Sequence, residues 1–144
     1  MTAQHYDFER AAAYFRDRLA FTTGTHELDV LLKDDKAPAY QVVDVRAAGD
    51  YAQGHVPGAV NLPMPKWDIR RQVEATLRKD ATLYVYCYSP TCHLAARAAA
   101  SLAAAGYRVV EVEGGWSSWV EGGYPAPQPL SEPRGAAGTS GASA

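Results

Sequence analysis

Apolar and polar positions follow two rhythms along this chain, one helical and one extended. Phe8, Ala12, Phe15 and Leu19 recur at helical spacing with Glu9, Arg10, Arg16 and Asp17 off that stripe, which predicts an amphipathic helix on the outside of a domain. A short apolar link at Ala20 and Phe21 leads to Leu28, Leu31 and Leu32, a second helix with Thr25 as its N-cap and Pro38 beyond its end. The run Tyr40-Gln41-Val42-Val43-Asp44-Val45 is rich in β-branched residues and predicts a buried strand; Ala59-Val60-Asn61-Leu62 predicts a shorter one. Between them Asp50 and Tyr51 fall in a helical turn, and Gly54, Pro57 and Gly58 reverse the chain. A helical segment from about Trp67 to Leu77 precedes a third strand, Thr82-Leu83-Tyr84-Val85-Tyr86. Leu94, Ala98 and Leu102 then define a helix ended by Gly106, Arg108-Val109-Val110-Glu111-Val112 reads as a strand, and Gly114-Gly115 open a short helix carrying Trp116 and Trp119.

Strand and helix alternate with long crossovers, so the fold class expected is α/β, a mostly parallel sheet with helices on both faces and ligand sites at the strands' C-terminal ends. The chain has 144 residues, 47% of them apolar, enough for one core. We expect one domain over residues 1–125, with a helical extension over about 1–22. From 126 to 144 Pro, Gly, Ser and Ala dominate, and disorder is expected there. The net charge of -2 gives no overall attraction for nucleic acid or anionic lipid. Met1 to Glu9 lacks a signal-peptide pattern and no apolar run approaches the ~20 residues that span a bilayer, so a cytoplasmic setting is expected. Arg70, Arg71, Arg78 and Lys79 are interleaved with Asp68, Glu74 and Asp80, as on a solvated helix face.

The two cysteines, Cys87 and Cys92, cannot form a disulfide framework, but they bracket one short loop between a buried strand and a helix. Backbone N–H groups and the helix dipole stabilise an anion there, which predicts a Cys87 pKa lowered from its reference of ~8.5 towards neutrality. A core-filling cysteine is the bland alternative, since free cysteine is among the most buried residue types. Its place at the strand's end, not within an apolar stripe, favours function.

The runs Val43-Asp44-Val45-Arg46, Asp50-Tyr51 and Gly54-His55-Val56-Pro57-Gly58-Ala59-Val60-Asn61-Leu62-Pro63 resemble the first half of a rhodanese homology domain. Tyr84-Val85-Tyr86-Cys87 resembles its catalytic strand; Gly106-Tyr107, Gly114-Gly115-Trp116 through Trp119 and Gly123-Tyr124-Pro125 resemble its C-terminal signature. The resemblance covers about Gln41 to Pro125. It implies a central, mostly parallel five-stranded sheet flanked by helices, and a sulfurtransferase of the thiosulfate sulfurtransferase class. Cys87 would carry sulfane sulfur as a covalent persulfide, with no separate cofactor or metal, between a small-molecule donor such as thiosulfate or an organic persulfide and a thiol, cyanide-like or protein acceptor. Asp44, Arg46, Asp50 and His55 match polar motif positions and are expected to orient the loops framing the site.

Many active members of that family carry a loop resembling Cys-Arg-Ser-Gly-x-Arg, whereas this one reads Cys87-Tyr88-Ser89-Pro90-Thr91-Cys92, followed by His93. Both arginines are absent, which weakens attraction for a doubly charged donor and leaves backbone dipoles and His93 as local positive features. Pro90 carries no N–H, and Tyr88 adds an aromatic rim that suits a less polar donor or simply packs. Two readings stand for Cys92: it resolves the Cys87 persulfide or pairs with it in a reversible disulfide, or it is a packed, inert residue. Related phosphatases use a longer loop ending in arginine, a position taken here by His93, which disfavours phosphate chemistry. A metal at Cys87, Cys92 and His93 would lack its remaining ligands. Besides sulfur transfer, a thiol–disulfide redox protein and a weakly active protein-binding module remain open.

Overall fold

The computed structural model describes residues 5–64 and 69–126. The Asp7 carboxylate accepts a hydrogen bond from the Arg10 N–H at 3.0 Å and caps α1 (Phe8–Phe21). The stripe predicted on α1 is present, yet no residue of this helix is buried, and Phe8 and Leu19 are 78% and 81% exposed. Its C-terminal end is fastened by an Arg18–Glu113 ion pair of 3.0 Å. Ala20 and Phe21 are not a link but the last residues of α1, and β1 (Thr22–Thr23) follows directly. In α2 (Thr25–Leu32) the expectation that Thr25 is the N-cap is corrected: Gly24 holds that position, and Thr25 begins the helix. The reason is the backbone path: Gly24 is extended, with φ -105° and ψ 175°, so the helical conformation opens one residue later, at Thr25.

The remaining elements are β2 (Tyr40–Asp44), α3 (Ala48–Gln53), β3 (Val60–Asn61), a π-helical stretch Ile69–Val73 running into α4 (Glu74–Thr76), β4 (Thr82–Tyr86), α5 (Leu94–Ala104), β5 (Arg108–Val112) and α6 (Gly115–Glu121). The start of the helical segment expected from Trp67, and the tail from 127, lie outside the described residues. Arg78 and Asp80 form an exposed ion pair at 2.9 Å. Among the described residues no helix is long and apolar enough to cross a membrane.

The five strands form one all-parallel sheet in the order β1-β5-β4-β2-β3. The twofold alternation of strand side chains divides the core between its faces. Val43, Leu83, Val85 and Cys87 pack on one side with Ala95, Ala98 and Leu102 of α5, while Val42, Tyr86 and Val112 pack on the other with Leu28 of α2 and Trp119 of α6. Cys87 continues the Leu83–Val85 face one step beyond the end of β4, which aims its side chain at the start of α5.

Candidate active site

The loop after β2 is organised by a buried ion pair. Asp44 and Arg46 are 0% and 2% exposed. Arg46 Nη2 donates to Asp44 Oδ2 at 2.7 Å and to the Gly54 carbonyl at 2.6 Å, and Arg46 Nε lies 3.1 Å from both Asp44 oxygens. Asp44 also accepts from the Tyr86 hydroxyl at 2.6 Å; burial, then the carboxylate itself, pushes the phenol's pKa well up, so Tyr86 stays a donor. The Arg46 guanidinium faces the Trp116 ring at 4.8 Å, joining this brace to α6. Asn61 Nδ2 closes the loop by donating to the Asp44 and Arg46 carbonyls.

The start of α6 holds the cysteine loop through its backbone. Trp116 N–H donates to the Cys87 carbonyl at 2.8 Å and Ser117 N–H to the Tyr88 carbonyl at 2.9 Å. Only glycine fits at position 115: its φ is +61°, and a Cβ there would lie 2.7 Å from the Cys87 oxygen and 3.0 Å from Ser89 N. We therefore expect Gly115→Ala to cost about 2 kcal/mol, from left-handed backbone strain plus the displaced loop, read as a lower urea midpoint at unchanged slope. An unchanged midpoint would mean that α6 does not clamp the loop.

Cys87 is 2% exposed, and its thiol lies 3.5 Å from the Cys92 carbonyl. The neighbouring Cys92 thiol acts on its ionisation as well. Burial pushes the Cys87 thiol up to about 11, the hydrogen bond to Cys92 adds to this, and the amides of Ala95 and Tyr88 offset it only in part. For Cys92, burial also raises the pKa, but the hydrogen bond from Cys87 and the amides of Tyr88, Leu94 and Ser89 outweigh it and hold the thiol below its ordinary value. The lowering expected of Cys87 is therefore corrected: burial holds its pKa above the ordinary value, and it is the shallower Cys92 whose pKa is lowered.

Both thiols border a pocket of about 480 Å³ together with Ser89, Pro90 and His93 of the loop. Its opposite rim is formed by Arg18, Glu111 and Glu113, none of which sequence reasoning singled out, because no local pattern ties α1 and the end of β5 to the cysteine loop. Thr91 is exposed, its hydroxyl 3.2 Å from that of Ser89. Tyr88 turns away from the pocket: its hydroxyl donates to Asp50 Oδ2 at 2.5 Å and accepts from the Ala47 N–H at 3.1 Å. Asp44, Arg46 and His55 lie outside the pocket lining. His55 stacks on Tyr51 with ring centres 3.8 Å apart, and its Nδ1 lies 2.8 Å from the Tyr51 carbonyl. Among the described residues no group of three or more His, Cys, Asp or Glu is placed to hold a metal ion.

An all-parallel α/β sheet with a cysteine opening the loop between β4 and α5, beneath a pocket at the strand ends, defines a rhodanese-fold protein. The family model of the rhodanese-like domain matches residues 25–122, and the chain belongs to that family. Over 89 residues it is 35% identical to a sulfurtransferase of Allochromatium vinosum, covering 61% of this chain and 78% of that protein. Over 95 residues it is 33% identical to an HTH-type transcriptional regulator of Mycobacterium tuberculosis, covering 66% of this chain but only 41% of the regulator's length. Among solved structures, a Bacillus halodurans protein superposes with a TM-score of 0.77 at 29% identity, covering 86% of this chain and 88% of that one. A rhodanese-related protein from Thermoplasma volcanium gives 0.62 at 29% identity, covering 74% and 97%.

Proposed function

We propose that the protein is a sulfurtransferase that carries sulfane sulfur as a persulfide on Cys87. The observation that carries this reading is the Cys87 sulfur at the end of β4, lining the pocket and 3.5 Å from the Cys92 carbonyl. As a donor binds, Cys92 in its ionised form takes the Cys87 proton, and the Cys87 sulfur attacks the donor's outer sulfur. A new S–S bond forms, the donor's own bond to that sulfur breaks, and its electron pair leaves with the donor remainder. A thiol or cyanide-like acceptor, or a protein thiolate, then attacks the outer sulfur of the persulfide and releases Cys87 as thiolate. Asp44, Arg46 and His55 act as supports for the loops and not as reacting groups. No separate cofactor enters this cycle. It requires reduced thiols, and both cysteines are free, so we assign it to the cytoplasm.

The test is intact-mass spectrometry of reduced protein after exposure to thiosulfate and, separately, to an organic persulfide, with peptide mapping. Gain of one sulfur on Cys87 is expected, faster from the persulfide, since the loop offers no arginine to a dianion. Failure of both donors would sink the reading.

A second reading is favoured by two free thiols lining one pocket: an oxidant joins Cys87 to Cys92, and a reductant reopens the bond. Cys92→Ala separates the two. Under sulfur transfer, loading of Cys87 persists but slows roughly ten- to hundredfold at pH 7 with the loss of its proton acceptor. Under the redox reading all reversible oxidation vanishes and no sulfur is ever gained.

A further inference from the structure

Two groups on the pocket rim are unused by this chemistry. Arg18 belongs to α1, ahead of the segment matched by the family model, and overhangs the pocket from outside the cysteine loop. It spends one nitrogen on Glu113, at 3.0 Å, which leaves the rest of its planar fork open. Glu111, at the end of β5, is half-buried and its carboxylate accepts no hydrogen bond from any described residue. Burial and the neighbouring Glu113 raise its pKa, and His93 pulls it back. A half-buried carboxylate that no protein donor pairs is free to accept from a ligand's ammonium.

The signs of these groups select among donors. With Arg18 already paired to Glu113, Glu111 leaves the rim negative, so a dianion such as thiosulfate meets a carboxylate with no surplus cation to compensate it. A donor with only an ammonium would satisfy Glu111 and leave the Arg18 fork unused. We infer that the sulfur donor is a small zwitterionic persulfide of the amino-acid type, its carboxylate on Arg18 and its ammonium on Glu111, with its sulfane sulfur directed at Cys87. A volume of about 480 Å³ holds a molecule of that size. The inference rests on the sulfur-transfer reading. The step is Cys87 thiolate plus R–S–SH giving the Cys87 persulfide plus R–S⁻: one S–S bond forms as one breaks, and no external oxidant or reductant is consumed.

Three persulfides test it: cysteine persulfide, N-acetylcysteine persulfide, which lacks the ammonium, and cysteamine persulfide, which lacks the carboxylate. The measurement is the second-order rate of Cys87 loading by quenched mass spectrometry. On wild-type protein cysteine persulfide should load at least about fivefold faster than either analogue, as expected for one charge-assisted hydrogen bond apiece. Glu111→Gln should erase the preference over the N-acetyl compound alone, and Arg18→Gln the preference over cysteamine persulfide alone. Equal rates from all three on wild-type protein would overturn the zwitterion assignment and leave sulfur transfer standing. Loading from none, thiosulfate included, would overturn the sulfur-transfer reading and this inference with it.

Discussion

Cys87→Ser protein should gain no sulfur from an organic persulfide under conditions in which the wild type is expected to gain one atom. This is the largest effect expected of any substitution here, because a serine hydroxyl at neutral pH neither ionises nor forms a stable bond to sulfane sulfur. The fold should survive. Serine is close to cysteine in size, and its hydroxyl has the Cys92 carbonyl within reach, where the thiol lies at 3.5 Å; the stability change should stay near about 1 kcal/mol. The experiment has real power to fail, since Cys92 and not Cys87 is the thiol held below its ordinary pKa. A lower pKa supplies more thiolate but a weaker nucleophile, and the thiol pushed up to about 11 is the better attacker once its proton has moved to its neighbour. Sulfur found on Cys92 of the Cys87→Ser protein at the wild-type rate would reverse the assignment and make Cys92 the carrier.

The parts of this molecule that were legible in its sequence are those written in local pattern. The strands β2, β3, β4 and β5 stand where β-branched runs put them, and Cys87 stands at the end of β4 because the Leu83–Val85 alternation carries it there. The two-residue strand β1 was not legible, since Thr22 and Thr23 form too short a run to show a period, and its pairing with β5 is a tertiary event. The helix-dipole argument predicted a lowered Cys87 pKa and was wrong on the sign, because burial outweighs the amides there; depth and the amides each sulfur meets are what only coordinates supply. Tyr88 illustrates the same limit: a ring beside Cys87 reads as a pocket rim, yet Asp50 and the Ala47 amide draw it to the opposite side. Arg18, Glu111 and Glu113 meet the loop across long stretches of chain, so spacing alone could not bring them to the site.

Arg46→Ala should be the most destabilising substitution in the molecule, costing about 3–5 kcal/mol, because it strands a buried carboxylate. Asp44 would keep the Tyr86 hydroxyl and one backbone amide but lose its ionic partner among the described residues, and the Gly54 carbonyl would lose that donor. Against the roughly 5–15 kcal/mol of a whole domain, a loss of that size removes much of the urea midpoint. The exposed Arg78–Asp80 pair at a similar distance is the internal contrast: water already screens it, so breaking it should leave the midpoint almost unmoved. Arg46→Lys should fall in between, since an ammonium keeps the charge but cannot bind both Asp44 oxygens and reach Gly54 at once. The damage should extend to the site, because the guanidinium faces Trp116, whose N–H holds the Cys87 carbonyl. Sulfur loading should therefore slow in Arg46→Lys even where the protein remains folded. A Lys variant with wild-type midpoint and wild-type loading would show that charge alone, and not the planar fork, holds the loop after β2 against the cysteine loop.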